Sequence, residues 1–162
     1  DPGRTIELHL TGHMQRYAWS FNGIPFADAE PLRLNYGERL RIVLVNDTMM
    51  SHPIHLHGLW SDLEDDTGQF LVRKHTVDIP PGTRRAYRVT ADALGRWAYH
   101  CHLMFHMELG MMREVLQRRF SRALKEQSEG APPTDWPDVV RNSPQLEKDV
   151  REKFGKFLPK GW

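Results

Sequence analysis

His100-Cys101-His102-Leu103-Met104-Phe105-His106-Met107-Glu108-Leu109-Gly110-Met111 gathers three histidines and the chain's only cysteine into one short segment. A second segment, His52-Pro53-Ile54-His55-Leu56-His57-Gly58, adds three more of the nine histidines. Such clustering does not arise from composition alone. In an extended segment successive side chains alternate sides. His55 and His57 then point one way and Leu56 the other. His100 and His102 likewise share a side, and Cys101 points opposite. Two His-x-His pairs brought together offer four imidazoles on one face, with Cys101 serving a separate site behind it.

The donor types narrow the metal. A Cys thiolate, two imidazoles and a weak axial Met form the trigonal blue-copper set. Cys101, His106 and Met111 lie within one short loop, and His52 is the candidate second imidazole from a neighbouring strand. Zinc also takes Cys and His ligands, but a Met ligand gives zinc little. His9, His13 and His75 lack this patterning and read as structural residues. Met14, Met49, Met50, Met104 and Met107 read mainly as scattered core residues, with a soft Cu(I) patch as the alternative. Asp62-Leu63-Glu64-Asp65-Asp66 reads as a solvated acidic loop that could attract cations or relay protons.

Outward from these motifs, residues 4 to 116 read as β structure. Thr5 to Leu10 and Arg39 to Asn46 alternate in the strand period. Tyr17 to Phe21 ends at Asn22-Gly23, a turn signal. Thr76 to Ile79 closes at Pro80-Pro81-Gly82, and Arg85 to Thr90 alternates again. Short strands between turn residues predict a β-sandwich or barrel. Residues 117–162 change character: polar, basic and compatible with helix. Ser143-Pro144 resembles a helix start, and Leu146, Val150 and Phe154 recur at helical spacing.

Composition sets the bounds. The chain has 162 residues, and 22 Lys plus Arg against 21 Asp plus Glu leave a net charge of +1. That balance argues against a nucleic-acid binder driven by bulk charge. One cysteine excludes an internal disulfide framework. No apolar run is long enough for a spanning helix. The opening Asp1-Pro2-Gly3 carries no initiator Met, which implies a processed polypeptide or a piece of something longer.

On the motifs HPIHLHG and HCHLMFHMELGM, the chain resembles the C-terminal cupredoxin domain of multicopper oxidases, in the bacterial copper-resistance, laccase-like subgroup. The likeness runs from about Arg4 to Val115 and includes Leu10-Thr11-Gly12-His13-Met14 and Leu44-Val45-Asn46-Asp47-Thr48-Met49-Met50. It implies an all-β Greek-key sandwich of cupredoxin type over residues 1–116, with a helical C-terminal extension over 117–162. It also implies a type 1 copper on His52, Cys101 and His106 with Met111 axial. By the same resemblance, His55 serves a type 2 copper, and His57, His100 and His102 serve a type 3 pair. Cys101, His100 and His102 are then the catalytic electron path to a cluster that reduces dioxygen to water. The reductant would be Cu(I) or a small phenol, and the compartment the periplasm.

The family's cluster needs eight histidines, half of them from another domain. This chain offers only His55, His57, His100 and His102 in suitable pairs, so the isolated monomer is expected to be inactive. Three functions follow. The chain is a domain or subunit completed by a complementary cupredoxin domain supplying four further histidines. Alternatively, it self-associates and shares the cluster between copies. The third is a stand-alone blue-copper electron carrier or copper-binding module.

Overall fold

The computed structural model describes residues 1–118. The chain begins with β1 (Arg4–His13), β2 (Ala18–Phe21), β3 (Leu32–Asn35) and β4 (Arg39–Asn46). Next come β5 (His52–Leu56), β6 (Ser61–Glu64), β7 (Phe70–Lys74), β8 (Thr76–Ile79) and β9 (Arg84–Thr90). The last elements are β10 (Gly95–Cys101), the one-turn helix α1 (Met104–Glu108) and β11 (Met112–Arg118). The expected helical extension lies outside the described residues. β11 runs two residues past the expected boundary at 116.

The strands form two sheets. One has the order β2-β1-β4-β9-β6-β7, the other β3-β11-β10-β5-β8. The pairings β1–β4 and β3–β11 are parallel, so the chain crosses between distant strands rather than meandering. This is the β-sandwich that the alternating segments predict. Leu8 and Leu10 on β1, Leu40, Ile42 and Leu44 on β4, and Ile54 and Leu56 on β5 are all buried between the layers. Each such side chain contributes roughly 1.5–3 kcal/mol by leaving water. Tyr87 on β9 and Tyr99 on β10 bond hydroxyl to hydroxyl across the core. That pairing satisfies two polar groups whose burial would otherwise be costly. Asn22 and Gly23 both adopt positive φ between β2 and Ile24, as the Asn-Gly signal predicts.

Two expectations change. Asp62 and Glu64 are not in a solvated loop. They lie on β6, between β7 and β9, with 7% and 4% exposure. Arg73 Nε donates to Asp62 Oδ1 at 2.7 Å, and Arg39 approaches Oδ2 at 3.5 Å. Arg41 binds both Glu64 oxygens at 2.7 and 2.9 Å, and Arg88 Nε lies 2.8 Å from Oε1. These carboxylates are consumed by arginines from adjacent strands and are not free to attract cations. Only Asp65 and Asp66 lie in a solvated turn, where Asp65 Oδ1 accepts from Thr67 and Gln69. The core reading of the methionines fails for Met14, Met49 and Met104, which are exposed. Among the described residues no helix is long and apolar enough to cross a membrane.

Candidate metal centre

β5 and β10 are neighbours, and their register builds the site. Tyr99 faces Leu56, His100 faces His55, and Cys101 faces Ile54. Side chains alternate across each strand, so His52, Ile54 and Leu56 turn into the core while His55 turns outward. On β10, Tyr99 and Cys101 turn inward and His100 outward. The thiol and the two histidines flanking it therefore belong to opposite faces of one sheet.

The inward group is compact. His52, Cys101 and His106 are all buried, and their donor atoms lie within 4.8 Å of one another. Cys101 Sγ is 3.7 Å from His52 Nδ1 and 3.7 Å from His106 Nδ1. The two Nδ1 atoms are 3.0 Å apart. α1 delivers His106, and the chain then returns to β10. Met111 N donates to His106 O at 2.9 Å, and Cys101 N donates to Met111 O at 3.0 Å. Met111 is fully buried beside this group. Gly110 makes the return possible: its φ is +119, and a Cβ would meet the Trp19 carbonyl oxygen at 2.5 Å.

Hydrogen bonds fix which ring nitrogens are free. Thr48 Oγ1 donates its single proton to Asn46 Oδ1 at 2.8 Å, so it accepts from His52 Nε2 at 2.7 Å. That leaves the His52 Nδ1 lone pair pointing at Cys101 and His106. Burial, reinforced by the nearby His106, pushes the His52 imidazole down to about 4. Burial also lowers His106. Both imidazoles are thus neutral and ready to ligate at neutral pH. Burial pushes the Cys101 thiol up to about 11, opposed by a main-chain hydrogen bond at Leu103 and reinforced by the Asp78 charge. Without a cation the thiol keeps its proton; a bound metal must displace it.

The outward group holds the other four expected residues. His57 Nε2 and His100 Nε2 are 2.9 Å apart. The His55 ring lies 4.3 Å from His57, 5.7 Å from His100 and 6.1 Å from His102, centroid to centroid. His55 Nδ1 donates to His75 O at 2.6 Å, and His100 Nδ1 donates to Cys101 O at 2.9 Å. Both bonds orient their rings through Nδ1; His100 Nε2 faces His57 Nε2, and Nε2 is the nitrogen that His55 has left for a metal. Burial, then the charges of His55, His100 and His102, lower His57. His57 lies one residue beyond β5, yet its N–H still bonds Ala98 O at 2.9 Å and keeps it in line.

All eight expected residues therefore fall into two groups separated by one sheet. His9 and His13 join neither: His9 bonds Asp47 at 2.6 Å, and His13 accepts from Arg16 N at 3.2 Å. Sequence reasoning missed Thr48 and Asn46, which hold His52. It also missed Trp19, whose indole stacks on His106 at 4.1 Å and meets His52 edge-on at 5.3 Å. The cluster of turn formers Asn46-Asp47-Thr48 just before His52 was the available signal for the first two.

One thiolate, two imidazoles and a buried Met suit a soft, redox-active ion rather than a hard cation. Known proteins agree. The family model described as multicopper oxidase matches residues 1–121. Copper resistance protein A of Escherichia coli is 77% identical over 115 residues, covering 71% of this chain and 19% of that protein. Multicopper oxidase MmcO of Mycobacterium tuberculosis is 36% identical, covering 68% of this chain and 22% of that protein. The crystal structure of McoA, a multicopper oxidase from Aquifex aeolicus, superposes with a TM-score of 0.63 at 25% identity. It is matched over 73% of this chain and 30% of that one. The sandwich is therefore of the cupredoxin type seen in multicopper oxidases. The chain spans about a fifth of the length of the curated copper-resistance relatives it matches. Sequence motif, fold and donor chemistry converge: this chain belongs to the multicopper oxidase family, whose metal is copper.

Proposed function

We propose that this domain holds the electron-accepting copper and half of the dioxygen-reducing cluster of a copper-resistance oxidase. One observation carries the proposal. Cys101 faces an inward donor set, while His100 and His102, bonded to it through the main chain, sit with an outward one. His52, Cys101, His106 and Met111 would hold a type 1 copper. His55 would serve a type 2 copper, and His57, His100 and His102 a type 3 pair. Bound copper would supply one-electron chemistry, oxidising Cu(I) or a phenol-type reductant inward and reducing dioxygen to water outward.

The residues themselves do the rest. The peptide links from Cys101 to His100 and His102 give the shortest covalent path between the two donor sets. Thr48 and the His75 carbonyl orient the rings of His52 and His55. Burial keeps water from the thiolate. Four outward imidazoles are half of the eight that the family resemblance implies. We therefore propose a complementary cupredoxin domain as partner and the periplasm as the setting.

The test uses copper-loaded chain with and without the complementary domain. The chain alone should be blue and lack oxidase activity, and Cys101→Ser should abolish the colour. Adding the complementary domain should restore dioxygen consumption. A domain that binds but restores nothing overturns the proposal.

A further inference from the structure

His52 and His106 are 0% and 2% exposed. A reductant in solvent therefore touches neither ring, and an electron must cross whatever covers them. Among the described residues, the aromatic neighbours of these imidazoles are each other and Trp19. Trp19 is itself buried, at 1% exposure. Its ring meets Tyr17 edge-on at 5.8 Å and 88°. Tyr17 is 43% exposed. Tyr17, Trp19 and His106 thus form a continuous line of packed rings from solvent to the candidate ligand.

The line is built into the local chain. Gly12 faces the indole, and a Cβ there would lie 2.6 Å from two of its carbons. Trp19 N donates to Leu109 O at 3.3 Å, tying β2 to the turn that follows His106. Tyr17 takes a positive φ of 47° at the end of the β1–β2 turn, one residue before β2. Electron tunnelling weakens steeply across unfilled space, so packed rings outperform a path with gaps. Phe105 is 71% exposed and precedes His106 directly, but no ring contact joins the two, leaving only the main chain between them.

We propose that Tyr17 and Trp19 are the port through which a small one-electron donor reduces the Cys101, His52 and His106 centre. This rests on the blue-copper reading above. The donor loses one electron and copper(II) gains it, becoming copper(I). The phenol and indole mediate without net oxidation, and no proton moves.

The experiment follows the bleaching of the blue absorption in copper-loaded full chain by stopped flow at low salt. The donors are hexaammineruthenium(II), a cation, and the anionic iron(II)–EDTA complex. The variants are Tyr17→Arg, Tyr17→Glu and Leu94→Arg. Leu94 is exposed at the opposite end of β10 from Cys101 and serves as the control. With the blue absorption intact, Tyr17→Arg should shift the anion-to-cation rate ratio upward by about tenfold or more, and Tyr17→Glu downward. Leu94→Arg should shift it far less, and high salt should erase the difference. Equal shifts at Tyr17 and Leu94 overturn the port. A wild-type chain that takes up copper without turning blue overturns the underlying copper reading instead.

Discussion

Gly58 follows His57 with φ +74, and a Cβ there would lie 2.3 Å from the Trp97 ring. Both the backbone conformation and the space demand glycine. Gly58→Ala should destabilise the fold by about 1–3 kcal/mol, the usual cost of overpacking. Because the ring or the loop must move, His57 moves with it. Thermal unfolding of the metal-free chain measures the first effect. Loss of the dioxygen consumption that the complementary domain restores, with the blue colour kept, shows the second. Thr48 acts more quietly. Thr48→Val keeps the volume and removes the acceptor for His52 Nε2–H. Losing such a supporting bond should weaken copper binding at the inward site by roughly 10–100-fold. Competition against a chelator reads this directly, and unchanged affinity would show that His52 needs no such anchor. The ligand candidates themselves were legible because their types and spacing carry chemistry. Trp19 was not, because stacking on His106 depends on how β2 packs over the turn after α1, which no local pattern encodes.

β5 and β10 show why strand alternation was so informative here. A period of two sends Cys101 one way and His100 and His102 the other, whatever the partner strand. What alternation does not reveal is register. Only pairing places His100 opposite His55 and Cys101 opposite Ile54. β6 shows the same gap with the opposite outcome. Asp62 to Glu64 read as part of an acidic loop because four of the five residues from Asp62 to Asp66 are acidic. The arginines that neutralise Asp62 and Glu64 come from other strands, β4, β7 and β9, outside any local pattern. Asp62 gives a pH test of that network. Its hydrogen bond from Arg73 is the largest influence holding its carboxyl below the usual value of 3.8. A depressed folded value means the unfolded chain binds the proton more readily. The stabilisation is therefore complete above pH 3.8 and is lost as pH falls through the lower folded value. Asp62→Asn should cost about 1–2 kcal/mol at neutral pH, within the range for charged hydrogen bonds on a partly exposed pair. The gap to the wild type should close in acid. A difference that stays constant down to the acid transition would assign the effect to packing rather than charge.

Copper stoichiometry joins the two faces of the sheet to the size of the chain. The inward donors all come from one polypeptide and are buried, so on the proposed reading that site needs no partner. The outward imidazoles cluster on the other face of the sheet, with His57 and His102 exposed. They lack the second half that the family resemblance implies, and the matched relatives are about five times longer than this segment of them. A monomer should therefore hold roughly one tightly bound copper, with a blue absorption that Cys101→Ser removes. Metal analysis of each species separated by size after reconstitution decides the rest. About one copper per chain in every species means a blue-copper carrier or half of an enzyme whose other imidazoles come from a different domain. Clearly more than one per chain in an oligomer, and not in the monomer, means that two copies close the cluster between them. The second outcome would make the partner a copy of this same domain, and dioxygen consumption should then track the oligomer's share of the preparation.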